Sequence, residues 1–377
     1  MASHILPTNR VDVVTLNSYI KTITEPCIRD YPILNGLAES KRFVFNYRGG
    51  QDGKAVSWPV HFRLPPVETN YGMKAVSPTR TNQYKMAELP CRSYRTVEAI
   101  SKDEMLFNTG GPAIVKLADR LVPSMTRALI QTIAKDLLNN DGGSSSSDYS
   151  ERVHGLPSIF GTTGSVITNS PCWSPNGTYA GIVSTPGNYA SSTWTPGTSK
   201  AWPIGVGDEA YAFWTPMVVD YEAAVFDGVA HDGVTAAHTL AAQWHMAFRF
   251  GMTRLRALHN KRPDVIMCDN EMYRQILDSL EPHEQVVVKR DAGSSLMTRL
   301  GYESTSFEGV DLITGYGMPL NTAFMFPWSA FSLMSWQGQL IEKQTDDDFT
   351  VQSTAYSQDA WLNFKVETPA WCVKVTS

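Results

Sequence analysis

Residues 262–280, RPDVIMCDNEMYRQILDSL, are the stretch from which the fold can be worked out. Pro263 ends the helix that precedes it, because a proline ring clashes with the preceding helical turn. Val265–Cys268 follows as a short run of apolar residues, which predicts a buried strand. Asp269 or Asn270 then caps a short amphipathic helix. A buried strand that runs directly into a helix indicates a fold that mixes both element types.

Helical patterns lie upstream of this stretch and strand patterns lie downstream. Residues 234–259 carry apolar side chains at three- and four-residue steps, which predicts a long helix. Residues 98–140 are also predicted to be helical, starting at SKDE (101–104) and breaking at Gly110 and Gly111. The longer helix restarts at Pro112, a residue suited to a first helical turn, and should kink at Pro123. The residues downstream of 280 are predicted to be rich in strands, ending in AWCVKVT at 370–376.

Residues 42–97 have a different character. RFVFNYRG and AVSWPVHFRL alternate apolar and polar residues on either side of a glycine-rich turn, and TRTNQYKMAELPCRSYRTVEAI returns as extended structure. The pattern predicts a long two-stranded excursion. A lone hairpin buries too little surface to be stable in water, so it must lie on its own domain or on a neighbour. Residues 1–41 are predicted as an extended arm, with at most one short helix near 16–24.

Residues 141–230 show almost no helical pattern. Within them, YAGIVSTPGNYASSTWTPGTSKAWP at 179–203 combines the Gly, Ser and Pro of a flexible linker with large apolar side chains. An irregular segment of this length is usually functional or held by partners. We therefore expect its aromatic side chains to be buried within the fold or between subunits.

Composition narrows the function classes. Charged residues make up 18% of the 377 residues, against about 25% in a typical soluble protein, as expected for large subunit contacts. The net charge of −5 argues against a dedicated nucleic-acid reader. The five cysteines are far apart and predict buried free thiols in a reducing compartment rather than a zinc site. No apolar run has the length of a signal or a membrane span, which predicts a soluble protein made in the cytosol.

Catalytic and cofactor motifs are incomplete. The chain lacks GxSxG, and His283-Glu284 lacks the second half of HExxH. GQDGK at 50–54 has the wrong spacing for a P-loop, and GVGDEA at 205–210 neither follows a strand nor opens a convincing helix. His231, His238 and His245 lie too far apart along a helix to share one metal ion. We predict no enzymatic activity, no cofactor and no metal site.

Two charged clusters leave alternatives open. Asp346, Asp347 and Asp348 could bind a divalent cation, but a solvated acidic turn is the preferred interpretation. A basic patch could contact phosphates, pair with acids on a neighbouring subunit or simply face solvent. Its members are Arg249, Arg254, Arg256, Lys261 and Arg262.

Taken in order, these elements resemble the major capsid proteins of tailed bacteriophages, which have the Hong Kong 97-type fold. Residues 262–280 resemble the family's strand-then-helix unit, and SFEGVDLITGYGMPLNTAFMFPWSAFSLM at 306–334 resembles the strand, turn and paired strands that follow. GLPSIFG at 155–161 and YAGI at 179–182 resemble its Gly-Leu and Gly-Ile signposts. The family often has an arginine and a double tryptophan after the second signpost; here the positions hold Ser184, Trp194 and Trp202.

The resemblance implies an α+β chain divided into four parts: an N-terminal arm (1–41), an extended loop (42–97), a peripheral domain with the spine helix (98–155 and 345–377), and a mainly axial domain (156–344). It implies pentamers and hexamers of an icosahedral head around double-stranded DNA, contacted non-specifically. The protein would be a virion component assembled in the host cytoplasm. Scaffolding, cement and portal proteins are its candidate partners.

The extended loop would then lie across an adjacent subunit. The loop residues expected to make intersubunit contacts are Lys54, Trp58, Arg63, Tyr71, Arg80 and Lys85. Some family members cross-link subunits through a lysine and an asparagine. We find no asparagine and acid partner for Lys54, Lys74 or Lys85, so cross-linking is not expected here.

Two rival interpretations stay open. An encapsulin-like nanocompartment shell has the same fold but encloses cargo enzymes, so protected DNA inside the particle would separate the two. A β-rich hydrolase or carbohydrate-binding module would use the aromatic residues between 170 and 216 as a binding platform. It would be a monomer or small oligomer with a concave pocket.

Overall fold

The computed structural model describes residues 28–47, 55–61, 83–103, 111–142, 150–166, 171–184, 214–223, 226, 239–280, 305–348 and 352–377. The helices are α1 (Pro32–Glu39), α2 (Gly111–Asn139), α3 (Pro157–Phe160), α4 (Leu240–His259) and α5 (Asn270–Leu280). The strands are β1 (Phe43–Val44), β2 (Ala55–His61), β3 (Tyr84–Pro90), β4 (Arg92–Ser101), β5 (Thr162–Val166), β6 (Cys172–Asn176), β7 (Thr178–Tyr179), β8 (Ile182–Val183), β9 (Met217–Asp220), β10 (Val265–Cys268), β11 (Thr305–Phe307), β12 (Val310–Thr314), β13 (Ala323–Phe326), β14 (Phe331–Ser335), β15 (Glu342–Asp348), β16 (Ser353–Val366) and β17 (Val373–Thr376).

The larger sheet is mixed and is built around β10. Its described strands follow the order β11-β12-β10-β13-β17-β9-β6-β5. β10 runs parallel to β12 and antiparallel to β13. Val265 and Met267 enter one hydrophobic cluster, whereas Ile266 and Cys268 enter the other. The strand is therefore buried on both faces, which is why its sequence is continuously apolar.

Helices α4 and α5 cover one face of this sheet. Phe248 and Leu255 of α4 and Ile276 of α5 are buried against it. At Gly251 a Cβ atom would lie 2.5 Å from Cε of Met325, so glycine lets α4 approach the sheet closely. The predicted buried strand and the amphipathic helix after it are both confirmed, with the helix beginning at Asn270.

The smaller sheet is organised by the long strand β16. β4 pairs antiparallel along one edge of β16, and β15 and β14 pair antiparallel along the other. β1 extends this sheet parallel to β14. Helix α2 lies on the inner face, where Gln358 Nε2 donates to the carbonyl of Val122 (3.1 Å) and Thr126 Oγ1 donates to Gln358 Oε1 (3.1 Å). Helix α2 continues through Pro123.

Three local predictions are wrong. The described part of the predicted arm contains helix α1, in which Ile33, Leu34 and Leu37 are buried in the core; residues 1–27 lie outside the described residues. Residues 98–101 belong to β4 rather than to a helix. Asp346–Asp348 belong to β15 rather than to a turn, although Asp346 is exposed as expected. The two errors on strands share a cause, because both strands exist only through pairing with β16.

Candidate assembly surface

The hairpin formed by β2 and β3 has a buried face that anchors it to its own chain. Its register sets Trp58 opposite Ala87 and Val56 opposite Leu89, and all four side chains are buried in the main core. The backbone N–H of Glu88 also donates to the carbonyl in the turn between β7 and β8 (3.0 Å). The base of the predicted excursion is therefore confirmed as a hairpin and packs on its own chain.

The opposite face of the hairpin is exposed and carries large apolar side chains together with Glu88. Tyr84 and Met86 are 61% and 62% exposed. The register sets His61 opposite Tyr84, with ring centroids 5.0 Å apart, and Pro59 opposite Met86. We call His61, Tyr84, Pro59 and Met86 the hairpin face. Large apolar side chains that are exposed in one strip are typical of a protein–protein contact.

A second exposed surface lies on the outer face of the smaller sheet. Strand alternation turns Val97 and Trp361 away from α2, and they are 55% and 43% exposed. Arg95 Nε lies 2.7 Å from Asp359 Oδ1 between them, so these two charges are paired. We call Val97, Arg95, Asp359 and Trp361 the sheet face. Exposed apolar side chains that flank a paired charge are suited to burial by another chain.

Asn363 ties the base of the hairpin to the body of the chain. Its Nδ2 donates to the carbonyl of Pro90 (2.5 Å), and its Oδ1 accepts from the N–H of His154 (3.2 Å) and of Phe364 (2.8 Å). These acceptor contacts set the orientation of the amide. Nδ2 then faces His154 Nδ1 at 3.2 Å, so this ring nitrogen must accept and the imidazole must be neutral.

Because of His154, we expect the free energy of unfolding to decrease as the pH is lowered. Burial, together with the positive charge of Arg92, lowers its pKa to about 4. The unfolded chain therefore binds a proton below its ordinary pKa of about 6.5 while the folded chain does not, so stability is lost as pH falls from about 6.5 towards 4. Between pH 7.5 and 4.5 this histidine contributes a loss of about 2–3 kcal/mol.

Urea unfolding of the wild type and of His154→Gln at both pH values measures this contribution. Glutamine keeps an acceptor for Asn363 but does not titrate, so the variant should lose less stability at pH 4.5. Equal losses in the two proteins would contradict the assignment.

Tyr94 fixes β4 to the long helix α2. Its hydroxyl donates to Oδ2 of the buried Asp136 (2.7 Å) and accepts from the N–H of Val153 (2.9 Å). Nη1 of Arg152 lies 3.4 Å from the other carboxylate oxygen. Burial, and then the neighbouring carboxylate, raise the pKa of the Tyr94 hydroxyl, so it stays a donor at any pH at which the protein is folded.

We expect Tyr94→Phe to lower the free energy of unfolding by about 1–3 kcal/mol, since it leaves a buried carboxylate without its neutral donor. Urea unfolding measures the change. Tyr84→Phe is the matched control, because that hydroxyl belongs to an exposed side chain, and its effect should stay within about 0.5 kcal/mol. A Tyr94 variant as stable as the control would contradict the role given to the hydroxyl.

Two of the six predicted contact residues lie in the part of the chain that the structure describes. Trp58 is buried, with Nζ of Lys365 5.0 Å from its ring centroid, and Lys85 is partly buried. Lys54, Arg63, Tyr71 and Arg80 lie outside the described residues, so intersubunit contact through the six stays a prediction. Sequence reasoning missed Tyr84 and Met86, although alternation in YKMAELP places both on one strand face.

The basic patch is partly paired within the chain. Arg249 Nε lies 2.7 Å from Glu308 Oε1, and Arg262 donates to the backbone carbonyl of Glu308. Lys261 Nζ lies 4.5 Å from the ring centroid of Trp371. These contacts favour a structural, solvated face over a site reserved for phosphates.

The described residues contain few clusters of side chains that could bind a metal ion or react. Those ranges contain no group of three or more His, Cys, Asp or Glu side chains placed to hold a metal ion. Among the helices in the same ranges, none has an apolar stretch long enough to cross a membrane. Cys172, Cys268 and Cys372 are buried and form no disulfide, as predicted, whereas Cys91, also without a disulfide, is only partly buried. Burial raises the pKa of Cys268 and Cys372.

Comparison with known proteins identifies the fold. Comparison by sequence finds no matching family and no matching curated protein. The structure is similar to the cyanophage A-1(L) capsid asymmetric unit, with 16% identity, coverage of 92% of both chains and a TM-score of 0.58. It is also similar to the capsid of a native GTA particle, with 14% identity, coverage of 91% of this chain and 89% of that chain, and a TM-score of 0.50.

The chain thus has a mixed helix and strand fold of the kind found in capsid proteins. The resemblance to phage capsid proteins inferred from the sequence is confirmed at the level of the fold.

Proposed function

We propose that this chain is the structural major capsid protein of a tailed bacteriophage. It would assemble into the pentamers and hexamers of an icosahedral head that encloses double-stranded DNA. The observation that carries the proposal is the likeness to a capsid subunit over 92% of both chains. The exposed hairpin face and sheet face support it, because a shell subunit must bury apolar surface against its neighbours.

The proposed subunit follows the Hong Kong 97-type division into arm, extended loop, peripheral domain and axial domain. Residues 92–97, assigned to the extended loop, pair with β16 in the sheet that packs on the spine helix. We therefore place the base of the loop at Pro90 and Cys91. In this proposal the hairpin face of one subunit packs against the sheet face of the next. Such a contact joins two different surfaces, so it is heterologous and can close into a ring.

The proposed role is structural, without catalysis or a cofactor. DNA would be contacted non-specifically, since the chain is acidic overall with a net charge of −5. Scaffolding, cement and portal proteins are the proposed partners during assembly in the host cytoplasm and in the virion.

Negative-stain electron microscopy with light-scattering mass on the same sample tests the proposal. We expect hexamers, pentamers or closed polyhedral shells, and DNase-protected DNA in particles isolated from infected cells. Shells that hold enzymes without DNA would favour the nanocompartment instead. A chain that stays monomeric at high concentration, even with a scaffold protein supplied, would overturn the proposal and favour a ligand-binding module.

A further inference from the structure

Strand β4 forms one outer edge of the smaller sheet. Its ten residues pair with β16 in an unbroken antiparallel register, and no other strand among the described residues pairs with β4. In the same register, the N–H of Lys102 donates to the carbonyl of Gln352. Because hydrogen-bonded pairs alternate along an antiparallel ladder, the even-numbered residues of β4 bond to β16 and the odd-numbered ones turn their backbone groups outward. The residues with outward backbone groups are Ser93, Arg95, Val97 and Ala99.

The other edge strands in the described ranges carry features that discourage pairing with another chain. β1, β7 and β8 are two residues long, and β11 is three residues long. β5 has an irregular register with β6, β2 contains Pro59, and β3 uses an outward N–H of Glu88 to bond to Ala180. β15, at the opposite edge of the smaller sheet, has five charged residues among its seven. Short length, bulges, proline and charge all protect edge strands from association.

β4 lacks this protection. It is long, regular and free of proline, and its charged residues are Arg92, Arg95 and Glu98. Of these, Arg95 is already paired with Asp359 of the same sheet. A long edge strand with unpaired backbone groups is a template for a strand of another chain. A partner strand is therefore expected at this edge.

The sequence of β4 is suited to pairing with a second copy of itself. Antiparallel pairing centred on Val97 sets this residue opposite Val97 of the second copy, and the outward backbone groups of the odd-numbered residues then meet. The other facing pairs are Arg95 with Ala99, Ser93 with Ser101, and Thr96 with Glu98. Like charges that lie directly opposite each other are destabilising, and this register has none within the strand. Centring on Arg95 instead would set two arginines opposite each other.

We propose that the outer edge of β4 pairs antiparallel with β4 of a second copy, about a two-fold axis at Val97. The contact is isologous, because each strand offers the same groups to the other. It joins the two smaller sheets into one continuous sheet. The pairing itself uses backbone groups, whereas the Val97 side chains lie on the outer side of the joined sheet, where the two sheet faces become neighbours.

This contact has a role in the proposed shell that the hairpin contact does not have. A heterologous contact closes subunits into a ring, but a shell also needs contacts that join one ring to the next. Pairing of two β4 strands links a subunit of one ring to a subunit of its neighbour. This role rests on the proposed function, whereas the strand pairing can be tested on unassembled subunits.

Cysteine cross-linking of full-length, unassembled subunits at high concentration tests the pairing. Hydrogen-bonded antiparallel partners have Cα atoms about 5.5 Å apart, within the range of about 4.4–6.8 Å that a disulfide spans. Val97→Cys should therefore form a disulfide-linked dimer in oxidised glutathione, as seen on a non-reducing denaturing gel. Wild type gives the background from the native cysteines.

Ala99→Cys is the matched control, on the same face and the same edge of β4. In the proposed register its two copies lie about 14 Å apart along the strands, which is too far for a disulfide. We expect this variant to lack the linked dimer. If Val97→Cys gives no more dimer than Ala99→Cys or wild type, the proposed pairing is wrong.

Two proline variants, each added to Val97→Cys, test whether backbone groups carry the contact. Ala99→Pro removes an outward N–H from β4. Thr345→Pro does the same on β15, since Thr345 pairs with an even-numbered residue of β16, whose backbone groups bond to β4. Proline is tolerated in an edge strand where the N–H points away from the sheet. Ala99→Pro should lose the linked dimer and Thr345→Pro should keep it; a dimer that persists in both would overturn the proposal.

Electron microscopy of Val97→Cys separates this inference from the proposed function. Shells whose subunits form no linked dimer on oxidation would overturn the β4 contact and leave the capsid function standing. Linked dimers from a chain that never forms shells, even with a scaffold protein supplied, would support the β4 contact and remove the capsid function.

Discussion

Gly155→Ala is expected to destabilise the subunit by at least about 3 kcal/mol, the upper end of the range for forcing extra atoms into a packed site. A Cβ atom on this residue would lie 2.3 Å from the carbonyl oxygen of Asp136, 2.7 Å from that of Asn140 and 3.0 Å from that of Leu137. All three are backbone atoms, so no side-chain rotation can relieve the contact.

The same contacts explain why a glycine followed by Leu156 occupies this position. The Gly155 N–H donates to the carbonyl of Asn140 (3.2 Å), and the Leu156 N–H donates to that of Leu137 (2.8 Å). The two residues therefore satisfy carbonyl groups at the C-terminal end of α2, which have no partner within the helix. An alanine would move this segment away and leave those carbonyls buried without donors.

The yield of soluble protein and the midpoint of urea unfolding measure the effect of Gly155→Ala. Gly338→Ala is the matched control, since its Cβ would meet only the side chain of Asn46, at 3.4 Å. We expect the control to stay within about 0.5 kcal/mol of the wild type, as surface substitutions usually do. If the two variants were equally stable, the close packing assigned to Gly155 would be wrong.

Met86→Asp is expected to prevent assembly while leaving the subunit folded. Met86 is 62% exposed in the single chain, so the substitution should change the free energy of unfolding by no more than about 0.5 kcal/mol. In the proposed shell the same position is buried against a neighbour. An unpaired carboxylate buried there costs several kcal/mol, and every subunit of the shell carries it.

Electron microscopy and light-scattering mass report assembly, and circular dichroism reports the fold of the same samples. Val97→Asp, in the sheet face, should have the same effect because it places a charge on the proposed receiving surface. Leu320→Asp is the control, since Leu320 is 77% exposed and lies outside both faces. Normal shells from Met86→Asp would remove the hairpin face from the assembly contact.

The sequence predicts those parts of the candidate surface whose signals come from residues close together in the chain. Alternation along YKMAELP is local, so the sequence already places Tyr84 and Met86 on one side of a strand. Which side faces water depends on the core that receives Ala87 and Leu89, and this core is assembled from distant segments. Trp58 shows the difference, since its place in the extended loop suggested an intersubunit contact and the structure buries it within its own chain.

By itself, the sequence determined the buried strand Val265–Cys268, the helix Asn270–Leu280 and the long helix α2. Their signals are runs and periodicities contained in a few turns of chain, which are set by the side chains themselves. The tertiary structure alone decided that residues 98–101 form a strand, because that strand is stabilised by pairing with a partner far away in the sequence. The ion pair between Arg95 and Asp359 joins residues 264 positions apart. The contacts of the Asn363 amide with His154 and Pro90 are of the same kind, since they join segments that meet only after folding.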